Sequence, residues 1–394
     1  MVLEMGVTED LATFVKETNI DDLPIEVIKK TKLNFLDFIG VALAGSAERI
    51  TDITQRVVET IGGNEQATVI GRDMKTSALN AALLNGFMAH VYDFDDLNWK
   101  AIVHPGAPVF AAALSTSEWV NASGKKLIEA AVLGFEAACR IGYAVSPEHH
   151  DGYHSTGTCG VFGAAVAAGK LLELNAKEFT YSLGIAGTQS AGLQEVLGTM
   201  CKPLHPGKAA MDGVLSALLA KDGFNSSSRI LEGNKGFCKV MSPKGYHLNR
   251  VTEGLGDTYE IMDTVIKKHS SCGETHCAID AALEITRKNK IDKTQIRNIE
   301  IHVTPTMHDV ARFDKPKAGL EGRFSFPYCV ALAVIDGHVN DKSQFTDQRL
   351  ADKNIANMIS RTSVVADISE SKEDFVQAFR SANVPAKQVS QMFR

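Results

Sequence analysis

The spacing of apolar and polar positions divides the chain into two stretches of different character. Over the first 265 or so residues, apolar positions recur every three or four residues, which places them on one face of an α-helix. Within 25–44, Ile28, Phe35, Leu36, Ile39 and Leu43 form such a stripe, and Pro24 suits a first helical turn. The same spacing predicts helices over 77–89, 125–140, 161–172 and 209–221. Several are rich in Ala and Gly, as in GVFGAAVAAGKLL, so neighbouring helices can approach closely. Beyond about 265 the pattern changes. In QIRNIEIHV (295–303), Ile299, Ile301 and Val303 alternate with Asn298, Glu300 and His302, the signature of a half-buried strand. Helical spacing flanks it at 275–288 and 326–336. The predicted fold is mainly α: a large all-helical domain over 1–265 and a smaller α+β domain over 266–371. A terminal helix at about 372–394 is expected to join the helical domain. No internal repeat or low-complexity linker interrupts the chain.

Composition narrows the possible functions. A chain of 394 residues has room for one large or two ordinary domains. It is 44% hydrophobic and 22% charged, with a net charge of −6 and its Lys and Arg scattered among acids, so no nucleic-acid surface is expected. No apolar run approaches the roughly 18 residues of a membrane helix. The opening MVLEMGVTEDLATFV carries acids where a signal peptide has bases. Seven dispersed cysteines without a CxxC pair fit reduced thiols, and the expected location is the cytoplasm.

Several chemistries lack their motifs. GAAVAAGK (163–170) has the wrong length for a phosphate loop, and Leu171 stands where Ser or Thr would hold magnesium. No GxGxxG follows a strand, and no GxSxG elbow occurs. Asp93, Asp95, Asp96 and His104, or the run HSSCGETHC (269–277), offer metal-ligand types, but at spacings that fix no ligand geometry. Neither a metal nor an organic cofactor is expected.

What remains is an arrangement of cations and histidines before helix starts. His104 precedes a helix predicted near Pro108, and His154 one near Val161. Lys202 and His205 precede one near Gly207, while Lys267, Lys268 and His269 precede one near Thr275. Helix N-termini present unpaired N–H groups and a positive dipole end, so converging loops of this kind would hold a small polyanion. Taken singly, each residue has an ordinary role: a histidine as a cap, Asp95 and Asp96 as turn or capping acids, Tyr328 as core, Cys272 and Cys277 as packing.

The ordered set DFDD, HPG, HSTG, KPLHPGKAA and RFSFPY resembles the MmgE/PrpD family, which includes 2-methylcitrate dehydratase and cis-aconitate decarboxylase. The resemblance spans about Leu11 to Ile368 and includes LDFIGVALAG (36–45). It implies a helical domain with a smaller α+β lid, a homodimer, and lyase chemistry on a small polycarboxylate without a cofactor. Carried over by motif, Asp93, His104, His154, Lys202 and Tyr328 take the catalytic positions. His205, Lys267, His269, His276 and Arg323 are assigned to substrate binding. On this reading His104 and His154 move protons, Asp93 orients His104, Lys202 stabilises developing charge, and Tyr328 completes the site from the lid. Departures from the family pattern are Leu97, where the decarboxylase branch has Thr, a loop before His104 about one residue longer, and a shortened C-terminal region. The leading expectation is a 2-methylcitrate dehydratase-like hydro-lyase, and a cis-aconitate-type decarboxylase or an epimerase of an acidic substrate would use the same groups. A non-catalytic polycarboxylate-binding protein and a metal-dependent hydrolase or hydratase are the readings from other classes.

Overall fold

A computed structural model describes residues 6–367, and the terminal helix expected over 372–394 lies outside them. The first part is built from α1 (Val7–Glu17), α2 (Ile25–Ser46), α3 (Arg49–Ile61), α4 (Ala78–His90), α5 (Gly106–Trp119), α6 (Gly124–Val145), α7 (Ser155–Leu171), α8 (Ala176–Gln189) and α9 (Leu204–Lys221). α7 is the central helix: apart from Lys170, every residue from Ser155 to Leu171 is buried, as an Ala/Gly-rich helix without a polar face requires. α9 crosses α4 so closely that a Cβ at Gly207 would lie 2.5 Å from the Leu83 carbonyl oxygen. Glycine at that crossing is a steric requirement.

One apolar core runs from Leu11 to Ile261 through these helices. A second, from Ile279 to Met358, surrounds the helix Phe326–Asp336. It is covered by the helices His276–Lys288 and Lys353–Ser360 and by two parallel strands, Ile299–Val303 and Thr362–Ala366, in register from Ile299↔Thr362 to Val303↔Ala366. Ile301 and Val303 face inward while Glu300 and His302 are exposed, as their alternation predicts. The protein is thus mainly α, with a large helical part and a smaller α+β part.

Several contacts join the parts. Leu197 from the helical part packs with Cys272, Val310 and Phe324. Leu97–Asn98 also pairs antiparallel with Thr264–Val265, with Trp99 packed beside Leu97. Leu97 is therefore a joint residue, and its departure from the family pattern falls in apolar packing.

Three local expectations need correction. The stripe predicted on α2 is only half right: Leu36 and Leu43 are exposed, while Asn34, Asp37, Phe38 and Val41 are buried. The buried face is mixed because Asn34 donates to Asp96 at 2.7 Å, which offsets the cost of burying its amide. Helices also begin earlier than their apolar periodicity: α5 at Gly106, α7 at Ser155 and α9 at Leu204. The first turns GAPV, STGT and LHPG are too short and too mixed to carry an apolar stripe that announces them. Finally, the helical part contains short strand pairs, including Ala67–Thr68 with Lys75–Thr76. Among the described residues no helix is long and apolar enough to cross a membrane.

Candidate active site

α4 ends at His90, and residues 91–105 lead to α5 through a buried loop. Asp93 sits there at φ +51° and Ile102 at φ +53°. Such left-handed backbone is tolerated by Asp but costs a β-branched residue, on the order of 1–2 kcal/mol. The loop is held by its own bonds: Asn98 N–H donates to Val103 O at 2.9 Å, and Ala101 N–H donates to Asn98 Oδ1 at 3.1 Å. Asp96 accepts from the Gly106 N–H at 2.8 Å and so caps α5. A Cβ on Gly106 would lie 2.6 Å from that carboxylate, which explains the glycine of HPG. Burial, then the neighbouring Asp95, push Asp96 up to about 7.

Two of the other loops meet Asp93, and the third, carrying His154, lies beside His90 and His104. Asp93 Oδ2 lies 2.7 Å from Lys202 Nζ, just before α9, and Asp93 Oδ1 lies 2.7 Å from Lys267 Nζ, just after the Thr264–Val265 strand. His104 Nε2 is 3.8 Å from Asp93 Oδ1, and His104 Nδ1 is 3.6 Å from Asp95 Oδ1. The His104 N–H donates to Thr156 Oγ1 in the first turn of α7, tying two helix starts together. His154 is the residue before α7, and its Nδ1 lies 3.0 Å from Nδ1 of His205 in the first turn of α9. Asp93, His104, His154, Lys202, His205 and Lys267 therefore form one cluster between the helical part and the smaller part.

His90 belongs to the same cluster, and the sequence reading missed it. Its Nδ1 lies 2.8 Å from Asp95 Oδ2, its Nε2 is buried, and its ring centroid is 4.9 Å from that of His104 and 5.4 Å from that of His154. Asp95, read from sequence as structural, is thus a partner for two histidines. The available signal was a histidine closing a helix five residues before an acid in the same dense stretch, HVYDFDD.

The remaining assigned residues stand behind or away from the cluster. Lys267 has all three donors occupied, by Asp93 Oδ1 (2.7 Å), Asp93 O (2.9 Å) and Ser271 O (2.9 Å). In this geometry it supports Asp93 and has no donor left for a substrate. Arg323 donates through Nη1 to Tyr92 O and to Ser270 O, while its buried Nε has no hydrogen-bond partner among the described residues. His269 contacts Asp280 at 3.1 Å and stacks edge-on with His276, whose Nε2 lies 3.3 Å from Ser271 O. Tyr328 is buried in the second core and donates its hydroxyl to the Gln344 carbonyl. RFSFPY fits the helix start at Phe326 and its core, so the tyrosine is directed inward, where burial pushes its hydroxyl pKa up.

Burial alone would raise the Asp93 carboxyl, but Lys202 and Lys267 overturn that and hold it well below the usual carboxylate range. His90, His104 and His154 are all held well below the ordinary histidine range, chiefly by burial, with Lys202 adding to the effect at His90 and His154. Lys202 is itself lowered by burial against the opposing pull of Asp93. The resting site thus combines an ionised Asp93 with neutral imidazoles, whose protonation is disfavoured until a negative charge arrives beside them. The expectation of histidines titrating near neutrality changes accordingly.

His90, Asp93, Asp95 and His104 bring ligand-type atoms within 4.8 Å of one another. A cation there would face two ammonium groups 2.7 Å from Asp93, which oppose its binding. Lys202 is ion-paired with Asp93 and lies 4.9 Å from the Phe324 ring centroid, and with no backbone carbonyl among the described residues holding it, it is the ammonium better able to meet a carboxylate than Lys267.

A family model described as the MmgE/PrpD N-terminal domain matches residues 9–248, and the MmgE/PrpD C-terminal domain matches 269–390. Among curated relatives, a cis-aconitate decarboxylase of Aspergillus terreus (strain NIH 2624 / FGSC A1156) is 28% identical over 353 residues, covering 84% of this chain and 72% of the relative. The cis-aconitate decarboxylase of Homo sapiens is 26% identical over 347 residues, covering 85% and 71%. That of Mus musculus is 27% identical over 364 residues, covering 87% and 72%.

Proposed function

The chain belongs to the MmgE/PrpD family and is a lyase of that type, and from this premise we propose that it acts on a small di- or tricarboxylate by moving a proton at a carbon next to a carboxylate. The observation that carries the reading is the buried Asp93, bracketed by Lys202 and Lys267 and surrounded by neutral histidines. No metal or organic cofactor has a part in this reading.

Loss of CO2 from an unsaturated tricarboxylate, the reaction named for the relatives, is the favoured outcome. The electron pair left behind spreads into a neighbouring unsaturated carboxylate, and the Lys202 ammonium with the N–H groups at the starts of α7 and α9 stabilises that charge. A polyanion arriving beside His104 and His154 raises their pKa values, so one of them takes up the proton that it then delivers to carbon. Asp93 fixes Lys202, and Asp95 faces Nδ1 of His104. Tyr328 has no part in this mechanism. A hydro-lyase outcome is favoured by a different observation, the neutral resting state of the histidines, which suits removal of an α-proton as the first step.

The test is a panel of cis-aconitate, citrate and 2-methylcitrate, followed by CO2 release and by NMR of the products. CO2 with one unsaturated dicarboxylate product identifies a carboxy-lyase, and loss of water from a hydroxy acid identifies a hydro-lyase. Neither reaction on any member would contradict the reading. A homodimer is proposed on the family resemblance, and light scattering near twice 42.5 kDa is its check.

A further inference from the structure

His205 was assigned to substrate binding by its motif, but its surroundings fit a different task. Its Nδ1 is directed at Nδ1 of His154, 3.0 Å away, a distance that requires one nitrogen to donate and the other to accept. The ring is seated closely: a Cβ at Gly157 would come within 3.0 Å of the His205 Cβ, and one at Gly192 within 3.3 Å of its Nδ1. His205 also lines an open pocket of about 260 Å³, together with Gly157, Gln189, Gly192, Lys208 and Asp212. One edge of this imidazole therefore meets His154 while the residue borders solvent-accessible space.

Resting on the proton-transfer reading above, we propose that His205 is a positioning residue for His154, a neutral counterpart of the carboxylate that holds His90. In the resting pair, His154 carries its proton on Nδ1 and donates it to the bare Nδ1 of His205, which leaves His154 Nε2 bare toward the cluster. When His154 Nε2 takes up a proton, the ring becomes an imidazolium and its Nδ1 proton is shared with His205, spreading the positive charge over two rings. When Nε2 gives its proton to carbon, the Nδ1 proton settles back on His154. No other bond changes and no electrons are transferred; the one proton gained at Nε2 is the one released. The pocket supplies solvent around the second ring and keeps the spread charge hydrated. Burial, then Lys202, hold His205 at about 4, which keeps it a neutral acceptor in the resting enzyme.

The two histidine holders then differ in kind. Asp95 holds His90 with a buried carboxylate, whereas His205 holds His154 with a ring beside an open pocket. Only the second holder could be replaced by a small molecule from solution.

Chemical rescue tests this directly. His205→Ala should fold with an unchanged melting profile and lose roughly a hundredfold in kcat with little change in KM. Added imidazole should restore activity with saturation as it fills the vacated space, and His205→Asn, which keeps an acceptor near the Nδ1 position, should retain an intermediate rate. Wild-type kcat in His205→Ala, a loss confined to KM, or a kcat loss that neither imidazole nor His205→Asn relieves would overturn the proposal. NMR of protein carrying 15N-histidine separates this from the lyase reading, because it needs no substrate. His154 should be the Nδ1–H tautomer in the wild type and lose that preference in His205→Ala. An Nε2–H tautomer in the wild type would overturn the proposal even if the lyase reading holds, while a wild type without turnover but with the expected tautomer would overturn only the lyase reading.

Discussion

The helical part and the smaller α+β part each place a lysine on Asp93, at the same 2.7 Å, and the two lysines are not equivalent. Lys267, from the junction with the smaller part, also donates to two backbone carbonyls, so its ammonium is fully satisfied within the protein. Lys202, just before α9, has Asp93 as its ion-pair partner and the Phe324 ring nearby. The difference extends to their neighbours. The helical part contributes His90, His104 and His154 around the carboxylate, whereas Arg323, His269, His276 and Tyr328 are engaged with partners in or near the smaller part. On the proposed mechanism, equal distances conceal a support and a working group, with the chemistry on the helical side and the other side bracing it.

The most severe way to break this comparison is to remove what both lysines share. Asp93→Leu leaves two buried ammonium groups without their anion, and we expect activity to vanish and stability to fall by about 3–5 kcal/mol in urea unfolding. Next come the lysines separately. Lys267→Met should cost about 3 kcal/mol or more, because it uncovers two carbonyls as well as an ion pair. Lys202→Met should cost less stability but lower kcat/KM by a hundredfold or more and remove polycarboxylate binding in calorimetry. If the two variants lose stability and activity in equal proportion, the division between support and working group is wrong.

Acid should weaken the helical side of the site progressively. His150 and His205 are each pushed down to about 4 by burial, while an unfolded histidine titrates near about 6.5. Between those values the unfolded chain binds protons that the folded chain refuses, so stability is full above about 6.5 and falls as pH drops toward about 4. Urea midpoints measured across that range should decline, and a flat profile would contradict the neutral burial of these rings. Asp93 adds a loss at still lower pH: its folded pKa is depressed, so its contribution is present above the unfolded carboxylate range and disappears as pH falls through the folded value. The smallest effect is expected at Tyr328→Phe. Losing the bond to the Gln344 carbonyl should cost about 1–2 kcal/mol and leave kcat nearly unchanged, whereas a hundredfold fall in kcat would restore the catalytic role implied by the family motif.

Much of this organisation was legible before any coordinates, for identifiable reasons. The strand at Ile299–Val303 and the helix Phe326–Asp336 follow from local periodicity, and the structure has them where the spacing put them. The convergence of His104, His154 and Lys202 could be suspected from three helix starts, but only long-range packing brings His104 and Lys202 to Asp93 and His154 beside His104. His90 was hidden because its partner Asp95 is reached by a turn, which leaves no periodic signal. The buried side of α2 was misread because Asn34 and Asp37, polar by type, are drawn inward toward Asp96. Tyr328 was expected to complete the site, and the structure has its side chain in the second core, because a motif identifies a position without giving the direction of its side chain. Lys267 and Lys202 look alike in sequence, and only their donor partners tell them apart.

The most direct test of the central claim, that the Asp93 cluster moves a proton at a carbon next to a carboxylate, is NMR of a polycarboxylate substrate incubated with the protein in deuterated buffer. Deuterium should enter one carbon adjacent to a carboxylate with the wild type and with Tyr328→Phe, and should be absent with Lys202→Met. Turnover without deuterium at such a carbon, or incorporation undiminished in Lys202→Met, would contradict it.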